Sequence, residues 1–217
     1  MIWFWVMHIA VLGYWLGSEL VINSTYRYVC YADDMPFNER SRLMDHVMHV
    51  DQHVRYALVL QATLGLMLSV SYGFIPGDQS VIITIAVCGL IWLGFVETVH
   101  RLRKKPAGVK LARIDRTSRY LLLVVLLALS LGLIGGDWPM PDWLRWKLAA
   151  FAGVVASGVG IRIALIAHFR TWKEMAEQGV TPERNAIIKR CYVRATSALG
   201  MLWVFIAVIV YLSVAKP

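Results

Sequence analysis

The amino-acid sequence predicts an all-α, polytopic membrane helical bundle with six transmembrane helices and both termini outside. Three observations carry this. Of the 217 residues, 58% are hydrophobic, and the mean hydropathy of +0.58 exceeds what a soluble domain of this size reaches. Apolar runs long enough to cross a bilayer recur along the whole chain, continuous rather than alternating, which selects helices over a barrel. The Lys and Arg residues crowd into alternate connections, as cytoplasmic loops do.

The six spans are expected at 2–23, 47–72, 81–102, 119–134, 142–169 and 186–214 of a single transmembrane domain covering 1–217. Asp78-Gln79-Ser80, Thr117-Ser118, Asp142 and Thr181-Pro182 give N-cap or first-turn signals before four of them. The fourth span is short for a hydrocarbon core of about 30 Å, so Arg116 and Arg119 must snorkel at its start.

Charge sets the orientation. The third connection carries Arg101, Arg103, Lys104, Lys105, Lys110, Arg113 and Arg116. The fifth has Arg170, Lys173, Arg184, Lys189 and Arg190, and the first Arg27, Arg40 and Arg42. The connections 73–80 and 135–142 have neither Lys nor Arg. This pattern places the basic connections in the cytoplasm and suits a multi-pass protein of a bacterial inner (plasma) membrane. The net charge of +8 therefore reports topology rather than nucleic-acid binding. Cys30, Cys88 and Cys191 lack CxxC spacing and form no disulfide framework. No secretory signal is evident, so the first helix is expected to remain in the mature chain.

His8 stands early in an otherwise apolar first span, followed by Trp15, Gly17 and Glu19. An ionisable group inside a membrane is a functional candidate by default. Trp143-Leu144-Arg145-Trp146-Lys147-Leu148 sets a lysine at the head of the fifth span. Under the six-span topology His8 and Lys147 share the outer face, with Trp3, Trp5, Trp138, Trp143 and Trp146 as an interfacial belt. Lys147 has an ordinary reading too, as a snorkelling residue beside Arg145.

His8, Trp15 and Gly17 followed by Trp-Leu-x-x-Lys-Leu resemble the HemJ/CopD group of membrane proteins. HemJ is a bacterial protoporphyrinogen oxidase holding a b-type haem, and CopD-like proteins are linked to copper uptake or resistance. The resemblance implies that His8 and Lys147 are the functionally required pair. It rests on spans one, two and five. The pair of spans from Val81 to Ile134 is additional here, and Ser18-Glu19-Leu20 stands where the HemJ pattern has Tyr-Pro-Arg.

The other five histidines fall at the cytoplasmic side. His46, His49 and His53 are spaced i, i+3, i+7 and form one helical stripe. His100 and His168 end two other spans. His53 with His100 or His168 is the expected axial pair of a haem b, whose iron takes imidazoles from facing helices. His46, His49 and His53 are candidate copper or zinc ligands, with Asp45 or Asp51 orienting a ring through its other nitrogen. Arg55 and Arg162 are placed to meet haem propionates or a quinone headgroup. Their plainer role, shared with Glu19, Glu97 and Arg194, is ion pairing inside the bundle, such as Glu97 with Arg162 or Arg194. The rows Ala149, Gly153, Ser157 and Ala156, Gly160, Ala164 allow close helix packing or room for a flat porphyrin.

The leading functional expectation is an inner-membrane b-haem oxidoreductase passing electrons between a porphyrinogen or quinol and a membrane acceptor. The alternatives are a CopD-like copper permease, with Met7 and His8 as the outer entry, and a cofactor-free structural subunit. Its expected surroundings are the lipid bilayer and either a homo-oligomer or a larger membrane complex.

Overall fold

The computed structural model describes residues 2–103 and 105–216, so Lys104 of the third connection lies outside the described residues. Six helices account for nearly all of it: α1 (Ile2–Tyr31), α2 (Phe37–Ser71), α3 (Gln79–Leu102), α4 (Pro106–Ser130), α5 (Asp142–Gln178) and α6 (Pro182–Ala215). Five of them, all but α4, are long and apolar enough to cross a membrane. The chain is an all-α protein with the helices of a membrane protein.

Each helix packs against its neighbour in sequence, and α1 packs against α6, so the bundle closes into a ring. The helices run up and down. Trp5 near the start of α1 donates to the Tyr72 hydroxyl after the end of α2 at 2.6 Å, and Lys216 lies over the rings of Trp5 and Trp143. Both described chain ends thus share one end of the bundle, here the tryptophan end. The connections at 32–36 and 179–181, and Arg103 and Lys105 of the third, lie at the other, the basic end.

Several helices outrun the expected spans. α1 continues past 23 to Tyr31, α2 starts at Phe37 rather than 47, and α5 runs on past 169 to Gln178. A span is only the part that meets hydrocarbon, whereas a helix persists wherever packing supports it. Here the extensions of α1, α2, α5 and α6 pack on one another at the basic end around Val29, Cys30, Met44, Met175 and Ile188. A second core joins Trp15, Ala57, Val154 and Leu202 in mid-bundle.

The caps explain most boundaries. Asp78 caps α3, accepting from the Ser80 and Val81 amides at 3.0 and 3.3 Å. Thr181 caps α6, accepting from the Arg184 amide at 3.3 Å ahead of Pro182. Thr117-Ser118 caps nothing: α4 already starts at Pro106, and both residues lie inside it. Proline at the first turn lacks only a donor that no helical acceptor would meet, so it suffices to start the helix. α4 also stops at Ser130, where the expected span ran to 134. Gly132 and Gly135 turn the chain with φ of 71° and 66°, and Arg145 donates to the carbonyls of Leu129, Gly135 and Gly136.

Candidate functional site

Two cavities lie one above the other inside the ring. The one nearer the tryptophan end, about 160 Å³, is lined by His8, Gln61 and Lys147 within walls of Trp5, Tyr72, Phe74, Trp143 and Phe151. The fold therefore brings His8 of α1 and Lys147 of α5 to one chamber. Both are only partly exposed. Aromatic rings arch over it: Tyr72 stacks on Phe74, and Phe74 meets Trp143 edge to face.

Gln61 decides the state of His8. With its amide oriented to suit its neighbours, its Nε2 donates to His8 Nδ1 at 2.6 Å and to the His8 carbonyl at 3.3 Å, and its Oε1 accepts from the Leu12 amide at 3.3 Å. An Nδ1 that accepts leaves the neutral ring with its proton on Nε2, so His8 is a hydrogen-bond donor at that atom. Among the described residues no carboxylate pairs with Lys147. The chamber is thus apolar and aromatic, with one neutral donor and one cation. A cavity of about 150 Å³ accepts a single benzene-sized ring, so the chamber as it stands takes one ring and not a tetrapyrrole.

The second cavity, about 140 Å³, lies toward the basic end and is lined by Glu19, Asn23, Asp51, Arg55 and Arg119 among apolar neighbours. Trp15 and Val154 line both cavities and stand between them. Trp15, only 3% exposed, donates to Glu19 at 3.2 Å. Beside this chamber, Arg55 pairs with Asp51 at 3.0 Å and Asp115 at 3.8 Å, and Arg119 pairs with Asp115 at 2.9 Å. This chain of alternating charges ties α2 to α4. Arg55 is accordingly engaged by carboxylates rather than open to propionates, and Arg162 forms no ion pair among the described residues. Glu97 meets Tyr56 and Arg101, not Arg162 or Arg194 as the sequence suggested. Its partner one turn on, Arg101, is closer to hand than a residue on another helix.

The inner histidines do not converge. His46, His49 and His53 are strung along the exposed face of α2. His53 meets the Tyr14 hydroxyl at 2.5 Å on the α1 side, while His49 packs on His100 of α3 with ring centroids 5.6 Å apart. Asp45 does orient His49, through its backbone carbonyl at 2.7 Å rather than its carboxylate. Asp51 is taken by Arg55. His168 is fully buried, its Nδ1 3.0 Å from the Tyr26 hydroxyl and its ring stacked on Trp172. Among the described residues its Nε2 has no partner, and none of these histidines lines either cavity. As placed, His53 is engaged by Tyr14, His100 by His49, and His168 by Tyr26 and Trp172. Among the described residues no group of three or more His, Cys, Asp or Glu gathers as a metal site. Met7 is 52% exposed, and Met140 rather than Met7 lines the His8 chamber.

Three residues that matter were passed over in the sequence. Gln61, a lone amide in mid-span, carried a visible signal. Asp115, a single acid in a basic run and four residues before Arg119, carried one as well. Arg40 gave none beyond its charge. It is wholly buried, donating to the Val29 carbonyl at 3.1 Å and to Asn185 at 3.0 Å, with its guanidinium over Trp172.

Fold and site together define a helical membrane protein with a ring-sized internal chamber. Comparison with family models, curated proteins and solved structures finds no match.

Proposed function

We propose that this chain is a six-span redox protein of the HemJ/CopD type, both termini outside an inner membrane, that binds a quinone or quinol headgroup between His8 and Lys147. The carrying observation is that these two residues, far apart in sequence, line one aromatic chamber sized for a single ring. The Nε2–H of His8 and the ammonium of Lys147 are both donors, and quinone oxygens are acceptors. The aromatic walls stack on a planar ring, and an isoprenoid tail leaves between helices into lipid. A porphyrinogen, the other donor class the resemblance implies, is larger than the chamber and requires the helices to part. Haem b would supply a one-electron acceptor, with His53 and His100 or His168 as the candidates to hold it.

A second reading, copper handling, has one observation in its favour. His49 and His100 lie side by side, and His49 is oriented through Nδ1 in the manner of metal-ligating imidazoles.

The test has two parts. Titrating the detergent-solubilised protein with a short-chain quinone should quench tryptophan fluorescence. Lys147→Ala and His8→Ala should each weaken binding about tenfold, the value of one hydrogen bond to a charged or fixed donor. Oxidised and dithionite-reduced spectra then ask whether haem b is present. Equal quinone affinity in all three proteins would sink the proposal. A colourless preparation from haem-replete cells removes haem from it and leaves the quinone site to stand on the titration.

A further inference from the structure

The second cavity holds a group that the quinone site does not use. Glu19 is 5% exposed, and among the described residues no Lys, Arg or His forms an ion pair with it. It accepts a hydrogen bond from the Trp15 indole. The other two acids nearby are each bonded to arginine: Asp51 to Arg55, and Asp115 to Arg55 and Arg119. A carboxyl buried without a counter-ion is expensive as an anion, so its placement calls for an explanation.

The cavity supplies one. From Glu19 its walls continue to Asp51, whose side chain is 36% exposed at the basic end, and to Arg55 and Arg119, 18% and 21% exposed. α1 adds Asn23 and Tyr26, and α6 adds Thr196, which donates to Asn23 at 3.0 Å. α5 contributes an apolar wall there, including Gly158 and Leu165. The cavity is roomy enough for water, and Glu19, Asn23, Asp51, Arg55 and Thr196 offer it partners on otherwise apolar walls. In the other direction the path stops at Trp15, which is packed edge to face against Phe151 and is nearly inaccessible.

We propose that the second cavity is a proton chamber in which Glu19 gives its carboxyl proton to water and regains it from the basic end of the bundle, while Trp15 bars that water from the chamber of His8 and Lys147. The role does not depend on what the first chamber binds. It gives the protein a one-sided proton acceptor deep in the membrane, facing the basic loops.

The experiment uses the full chain in proteoliposomes. Dicyclohexylcarbodiimide, which adds to buried carboxylic acids and not to carboxylates, should label Glu19, as located by mass spectrometry of the intact wild type. Arg-paired Asp51 and Asp115 should stay unlabelled, and Glu19→Gln should reduce labelling to background. The infrared carbonyl band that wild type has and Glu19→Gln lacks should shift on transfer to D2O. No label at Glu19, or a band that is absent or does not exchange, overturns the chamber. Trp15→Ala should join the two cavities and speed the collapse of an imposed pH gradient. An unchanged rate overturns the barrier. These readouts need neither quinone nor haem, so their failure is distinguishable from failure of the redox reading.

Discussion

The chemistry of the first chamber turns on one hydrogen bond. A neutral imidazole such as that of His8 has two tautomers with opposite roles. Gln61 selects between them by donating to Nδ1 while also spanning the backbone carbonyl of His8 and the amide of Leu12. That triple engagement fixes the amide, and the fixed amide fixes the ring. Gln61→Leu keeps the volume but removes the donor. Nitrogen-15 spectra of labelled histidine should show a single Nε2–H tautomer for His8 in the wild type and a mixture in the variant. Quinone affinity should fall about tenfold with it, as one oriented hydrogen bond is lost. A wild-type spectrum already mixed would mean that Gln61 does not set the tautomer. Arg40 shows the same logic in a structural role. Buried and in no ion pair among the described residues, it donates to the Val29 carbonyl near the end of α1 and to Asn185 at the start of α6.

At the scale of the helix, the small residues of α5 explain how α5 and α6 make the most extensive contact in the bundle. A Cβ placed at Gly153 would lie 2.6 Å from the Phe205 ring, and one at Gly160 would meet Ala198 at 3.7 Å. The regular small-residue row is therefore a packing surface, not room for a porphyrin. Gly153→Ala should destabilise the protein by about 1–3 kcal/mol through overpacking. Thermal unfolding in detergent measures this, and Phe205→Ala in the same chain should recover part of the loss. Apolar runs located the helices because lipid demands them. They could not show how far each helix continues, since the packed extensions at the basic end mix Tyr26, Arg40, His168 and Trp172 with apolar side chains. The same mixing hid the histidines' fates. Spacing put His46, His49 and His53 on one stripe, which the helix keeps, but which neighbour each ring meets depends on where α1 and α3 pack.

The whole molecule is a ring of helices, and its weakest member is α4. This helix lacks the long apolar window of the other five, and its uncharged stretch runs only from Tyr120 to Ser130. Beside its contact with α3, two attachments hold it. Leu126 packs on Ala152 and Val155 of α5, and Asp115, 4% exposed, joins Arg119 of its own helix to Arg55 of α2. Pairing across the ring thus adds to apolar packing in keeping α4 in place beside both cavities. Asp115→Asn retains the shape and removes the charge, leaving Arg119 without its carboxylate and Arg55 with Asp51 alone. Breaking one side of a buried pair costs about 3 kcal/mol. Because α4 lacks the long apolar window of the other helices, hydrogen exchange should accelerate in α4 well before it does in α6. The paired change Asp115→Leu with Arg119→Leu should restore part of the protection, since it leaves Arg119's site apolar and Arg55 still paired with Asp51. If Asp115→Asn leaves α4 as protected as in the wild type, then the contact of Leu126 with α5 is sufficient to close the ring. The Asp51–Arg55–Asp115–Arg119 chain would then serve the second cavity rather than the architecture.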